Sequence, residues 1–88
     1  MPVYVDNARR PFGRLKMCHM IADTSDELLD MARAIGLRVK WLQYAGTHRE
    51  HFDVSLSRRK RAIDRGAIEI SSIDLVKIQI RKREAVTC

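Results

Sequence analysis

The 88-residue chain has little cysteine, proline, glycine or aromatic side chain, and no long apolar run. Two cysteines are too few for a disulfide framework, and neither stands in a CxxC or zinc-type Cys/His spacing. Cys18 lies in an apolar stretch and reads as a buried structural thiol. Cys88 reads as a terminal one, and a reducing, cytoplasmic compartment is expected. Four glycines and two prolines exclude collagen-like and linker-like chains. No apolar segment approaches the roughly 20 residues that span a bilayer. The N-terminus shows no basic stretch followed by an apolar one, so neither a signal peptide nor a membrane partner is expected. One Trp, two Tyr and two Phe argue against a single-strand binder built on stacked bases. Internal repeats and low-complexity segments are absent, as are GxGxxG, P-loop, GxSxG and HExxH motifs.

What remains is globular: 45% hydrophobic and 32% charged residues. That predicts one compact domain over 1–88, with a core over about 2–80, a frayed basic C-terminal tail and a thin stability margin. Lys and Arg number 17 against 11 Asp and Glu, a net charge of +6. The excess is uneven. Residues 24–36 are acidic, with Asp26, Glu27 and Asp30 against Arg33, whereas residues 37–88 carry twice as many basic as acidic side chains. Such asymmetry attracts polyanions and phosphates.

The hydrophobic pattern predicts an α+β fold: a mixed sheet of about four or five short strands, two or three helices, and at least one βαβ unit. Residues 2–6 read as a strand and 7–16 as a basic loop around Gly13. Residues 17–22 form a second strand, with Cys18, Met20 and Ala22 on one face and His19, Ile21 and Asp23 on the other. Thr24-x-x-Glu27 is a capping box, Leu28, Met31, Ala32 and Ile35 make an apolar helical stripe, and Gly36 supplies the stop. Leu37, Val39 and Trp41 alternate with polar residues and predict a third strand to about Gln43, completing a right-handed parallel crossover. Residues 51–54 are extended, Ser55 caps a helix over 56–65, and residues 67–70 form a strand, a second and smaller unit. The helix 56–65 has a thin apolar face, which allows a homodimer. After Ser71 or Ser72 as cap, Ile73, Val76 and Ile80 match helical spacing, while 76–81 alternate like a strand; length and capping favour the helix. Trp41 and Phe52 are expected in the core.

Asp6, Asp23 and Asp53 each fall near a predicted strand end. If those strands run parallel, the carboxylates converge beyond their carboxyl ends and hold Mg²⁺ or Mn²⁺ for phosphodiester hydrolysis. On a strand His51 and Asp53 share a face, and His19 or His51 would serve as base in such an enzyme. His48-x-x-His51 is no standard zinc pattern. Arg9, Arg10 and Arg14 surround the Gly13 turn, and Arg58 and Arg61 stand at the start of the second helix, where cations oppose the helix dipole. Guanidinium forks suit phosphate oxygens.

The run Tyr4-Val5-Asp6, Gly13-Arg14, His19-Met20-x-Ala22-Asp23, Glu27-Leu28, Ile35-Gly36, Trp41-x-Gln43, His51-Phe52-Asp53-Val54 and Arg61-Ala62-x-x-x-Gly66-Ala67 resembles a family. It is similar, over about residues 2–70, to the small bacterial and phage proteins known as domain of unknown function 4031. The resemblance implies a compact stand-alone domain and no established activity. Its marked positions are Asp6, Arg14, His19, Asp23, Gln43, His51 and Asp53; Phe52 stands where relatives often have Tyr, and Asn7 where they often have Asp. The ranked expectations are a basic module binding nucleic acid or a nucleotide phosphate through Arg9, Arg10, Arg14, Gln43, His51, Arg58 and Arg61; a metal-dependent nuclease or phosphodiesterase using Asp6, Asp23 and Asp53; and a phage accessory protein that binds a host protein.

Overall fold

The strand Leu15–Ala22 is the spine of the molecule, because three other strands pair with it. The computed structural model describes residues 2–87, so the terminal thiol of Cys88 lies outside the described residues. In chain order the elements are β1 (Val3–Val5), β2 (Arg10–Phe12), β3 (Leu15–Ala22), α1 (Ser25–Ala34), a 3-10 turn (Val39–Trp41), β4 (Phe52–Ser55), α2 (Leu56–Asp64), β5 (Ile68–Glu69) and α3 (Ser72–Thr87). The fold is α+β with a mixed five-stranded sheet.

Met20 pairs with both Val5 of β1 and Phe52 of β4, and Met17 with both Arg10 of β2 and Ser55 of β4. β1 and β2 therefore lie end to end on one edge of β3, and β4 lies on the other. Both β1 and β4 run antiparallel to β3, and β5 runs parallel to β1. β4 and β5 thus point the same way, and α2 makes the crossover between them. This is the βαβ unit of the fold.

The unit expected over 17–43 does not form. Val39 and Trp41 are 43% and 44% exposed, and the segment makes a 3-10 turn rather than a strand; only Gln43 bridges to His51. Alternation there had no neighbouring strand to bury against, and Trp41 is not core, whereas Phe52 is fully buried. The loop expected over 7–16 contains β2, an exposed edge strand that tolerates Pro11 and turns into β3 at Gly13, where φ is +59°.

Period-2 alternation along β3 splits the protein into two layers around the sheet. Cys18, Met20 and Ala22 face α1 and α2, packing on Leu28, Ala32, Ile35, Phe52, Val54 and Ala62. Ile21 faces α3, with Leu75 and Ile78 and the half-buried Tyr4 and Ile70. Helix α1 is capped as the sequence predicts: Thr24 Oγ1 accepts from the Glu27 amide at 3.2 Å and donates to Glu27 Oε1 at 2.8 Å. Ser55 Oγ accepts from the Arg58 amide, and Ser71 Oγ from the Asp74 amide. The tail is helical, but its inward stripe is Leu75 and Ile78; Ile73, Val76 and Ile80 are exposed. Among the described residues, no helix is long and apolar enough to cross a membrane.

Candidate functional site

The α3 face of the sheet is apolar only in part. Tyr4, Ile21 and Ile70 lie under the helix. Two residues further along β1 and β3 the same face carries Asp6 and His19, and β4 adds Asp53, with His51 just before it. His19 and Asp53 are direct partners in the β3–β4 register, so their side chains stand side by side on one face. Strand pairing, more than any loop, assembles these groups.

Asp6 is 1% exposed, and its carboxylate is saturated by donors. Oδ1 accepts from the amides of His19 at 2.8 Å and Ala8 at 3.2 Å. Oδ2 meets His19 Nδ1 at 2.8 Å and accepts from Ser72 Oγ, at the start of α3, at 3.4 Å. Burial pushes this carboxyl up, but the hydrogen bonds from the His19 ring and from the two amides outweigh it and hold Asp6 below the ordinary carboxylate range. The same hydrogen bond raises the His19 imidazole above its ordinary value; burial opposes the rise, and the charges of Asp6 and Asp53 add to it. Arg59 Nε donates to the Asp6 carbonyl at 2.7 Å while its terminal nitrogen pairs with Glu69, tying α2 to the ends of β1 and β5.

Beyond His19 the ring nitrogens converge. His19 Nε2 lies 3.9 Å and His51 Nε2 3.6 Å from Asp53 Oδ1. The two rings meet edge to face at 5.3 Å. Each of the three groups is oriented from behind: His19 by Asp6, His51 by a 2.8 Å contact from Nδ1 to the Arg49 carbonyl, and Asp53 by Gln43 Nε2 donating to Oδ2 at 2.8 Å. One ligand-type atom from each of His19, His51 and Asp53 falls within a common span of 4.8 Å.

The loop that delivers His51 has its own clamp. Glu50, 4% exposed, accepts from Ser25 Oγ and the Gly46 amide, each at 2.7 Å. This fixes residues 44–50 against the start of α1. Tyr44, in the left-handed region at φ +53°, stacks on the His51 ring at 5.8 Å and carries the Arg49 guanidinium over its own ring at 4.5 Å.

Two cavities open on either side of the histidine pair. One, about 370 Å³, is walled by Arg10, Gln43, Tyr44, Arg49 and Asp53; the other, about 230 Å³, runs between Asp6, Arg10, Arg49 and the Ser72–Gln79 side of α3. A third hollow of about 400 Å³, lined by Phe12, Leu15, Leu37, Trp41 and Arg58, shares Gln43 and Asp53 with the first. A larger hollow of about 550 Å³ lies away from this site, against Asp26, Glu27 and Asp30 of α1.

The structure thus brings together Asp6, His19, Gln43, His51 and Asp53, with Arg10 beside them. It does not bring Asp23. Because β1 and β3 are antiparallel, Asp23 lies beside Pro2, at the opposite end of β1 from Asp6, and its side chain is near Tyr4. The convergence of three carboxylates required parallel strands and fails on that geometry. Asp6, enclosed by four donors, backs His19 from the edge of the smaller cavity. Arg9, Arg14 and Arg61 are exposed and line none of these three hollows, and Arg58 stands over Trp41 at 5.8 Å. Tyr44, Arg49, Glu50, Arg59 and Ser72 had no local signal. Arg49 and Glu50 immediately precede His51 in the sequence.

A family model described as "Protein of unknown function (DUF4031)" matches residues 3–82, which takes in most of α3 and extends past the expected 2–70. No curated protein and no solved structure matches the chain.

Proposed function

We propose, from the premise that the chain belongs to the DUF4031 family of proteins of unknown function, that it binds a phosphorylated ligand of the nucleotide or nucleic-acid class in the cleft around His19 and His51. One observation carries this: Arg10 and Arg49 line both cavities that flank the histidine pair. Two guanidinium forks lining the same cavities as the imidazole rings suit phosphate oxygens. The adjoining hollow under Trp41 and Phe12 supports a ligand that carries a flat apolar body next to its phosphate, as a nucleotide does. The net charge of +6 steers such an anion inward.

Calorimetric titration with inorganic phosphate, nucleoside monophosphates and short DNA and RNA oligonucleotides tests this. The expected result is saturable binding of the nucleotide class, weakened about 10- to 100-fold by Arg49→Ala, the loss expected of a charge-assisted hydrogen bond, and weakened again as salt rises. Binding that is indifferent to Arg10→Ala and Arg49→Ala would overturn it.

A second reading, hydrolysis of a phosphoester in that ligand, is supported by the open cluster of His19, His51 and Asp53 at the cleft centre. Release of product from an oligonucleotide, lost in Asp53→Asn, is its test; intact oligonucleotide after prolonged incubation with divalent ions would reject it.

A further inference from the structure

We infer that His19 Nε2, His51 Nε2 and Asp53 Oδ1 form a binding site for a single divalent transition-metal ion of the zinc type, with a coordination position open to the cleft. The inference rests on neither reading above, since it concerns the ion alone.

The hydrogen bonds behind the rings fix which ring nitrogen carries the hydrogen. His51 Nδ1 faces a backbone carbonyl, which only accepts, so Nδ1 carries the hydrogen. His19 Nδ1 faces the Asp6 carboxylate, which likewise accepts. In the neutral rings both Nε2 atoms are therefore bare, and they lie 3.9 and 3.6 Å from Asp53 Oδ1. Two bare ring nitrogens and a carboxylate oxygen within a common span of 4.8 Å are a donor set suited to a cation.

Distances choose which cation. Separations of 3.6 and 3.9 Å are beyond the hydrogen-bond range of about 2.7–3.2 Å, so a proton on either ring leaves the cluster unbridged. A tetrahedral ion with bonds of about 2.0–2.1 Å holds its ligand atoms about 3.3–3.4 Å apart. The two carboxylate gaps then close by a few tenths of an ångström and the ring nitrogens, within 4.8 Å of each other, by no more than about 1.5 Å, through rotation of the side chains.

Every ligand also has the supporting partner that metal sites need. The Asp6–His19 pair is a carboxylate–histidine arrangement, the Arg49 carbonyl orients His51, and Gln43 holds the second oxygen of Asp53 so that Oδ1 points inward. Two imidazoles and one carboxylate favour Zn²⁺, Fe²⁺ or Mn²⁺ and disfavour Mg²⁺, which prefers an oxygen shell. Of the Mg²⁺ or Mn²⁺ expected on three aspartates, this donor set disfavours Mg²⁺ and still admits Mn²⁺, on a different residue set. Three protein ligands with cavities of about 370 and 230 Å³ on either side leave room for water or an anion as a fourth.

The test is titration of the full chain with Zn²⁺ and Co²⁺ in the absence of any phosphate, read by calorimetry and by the visible spectrum of bound Co²⁺. The expected result is one ion per chain, with a tetrahedral or five-coordinate Co²⁺ spectrum. His51→Ala and Asp53→Asn weaken binding at least 100-fold, and Asp6→Asn about 10- to 100-fold through loss of orientation. His48→Ala and Cys88→Ser leave it unchanged, and millimolar Mg²⁺ does not compete. Asp53 is 42% exposed, so Asp53→Asn folds even where His51→Ala proves too destabilising. The absence of stoichiometric Zn²⁺ binding, or binding that survives Asp53→Asn or is lost with His48 or Cys88, would overturn the inference. A chain that binds Zn²⁺ but no nucleotide would reject the phosphate reading alone.

Discussion

Asp6 and His19 are thirteen residues apart and joined twice: Oδ1 takes the His19 amide and Oδ2 the ring Nδ1, each at 2.8 Å. One buried carboxylate thereby closes the β1–β3 ladder where the strand pairing ends and sets the direction of the imidazole. Fold and site share this residue.

Replacing Asp6 should therefore cost more than its size implies. Asp6→Ala leaves the His19 and Ala8 amides without their acceptor in a buried position and should lower stability by about 3 kcal/mol or more. Asp6→Asn keeps the shape and one acceptor and should cost less. Urea unfolding of the two variants beside the parent protein checks the order; equal midpoints for all three would contradict it.

The pair also sets a pH window. Asp6 is held below its ordinary 3.8, so it stabilises the fold above that pH, and the contribution disappears as acid protonates it through its lowered folded value. His19 is raised above its ordinary 6.5, so its contribution is complete below pH 6.5 and is lost as pH rises through the raised folded value. In chelator-containing buffer the urea midpoint should peak between about pH 4 and 6.5 and fall above it. The alkaline decline should shrink in His19→Gln. A midpoint that is level from pH 6 to 8 in the parent would contradict the coupling.

Glu50 links the loop to α1 through Ser25 and Gly46. Glu50→Ala should destabilise by about 1–3 kcal/mol, the cost of stranding buried donors. It should also weaken ligand binding, because Tyr44, Arg49 and His51 lose their shared anchor. Unfolding and titration of the variant check both effects; an unchanged affinity would show that the loop is held by other contacts.

Trp41 is half-exposed between Arg38 at 5.9 Å and Arg58 at 5.8 Å, one wall of the apolar hollow beside Asp53. As the single tryptophan it reports on that hollow. A nucleotide should change its fluorescence, and inorganic phosphate should not. Equal responses to the two ligands would place the ligand body elsewhere.

Local patterns made much of this readable. Alternation along 17–22 separated Cys18, Met20 and Ala22 from His19 and Ile21, and the Thr24 box and Gly36 bounded α1. His51 and Asp53 were legible as one face of one strand. Strand direction was not legible, because hairpin and crossover connections are decided by long-range pairing; that is why Asp23 and Asp6 were drawn to the same end. Leu37, Val39 and Trp41 carried strand periodicity, but the segment makes a 3-10 turn and only Gln43 bridges, to His51. Among the arginines, nothing in the sequence distinguished Arg10, on a strand facing the cleft, from Arg14 in the turn beyond it. Glu50 bonds a residue 25 positions away, a contact that leaves no local trace.

If His19, His51 and Asp53 share one ion, it sits at the centre of the cleft between their side chains. Anomalous X-ray scattering above and below the zinc edge, from crystals grown with equimolar Zn²⁺, tests this most directly. One strong anomalous peak is expected about 2.0–2.2 Å from His19 Nε2, His51 Nε2 and Asp53 Oδ1. A peak confined to His48 or the terminal cysteine, or none at all, would contradict the shared site.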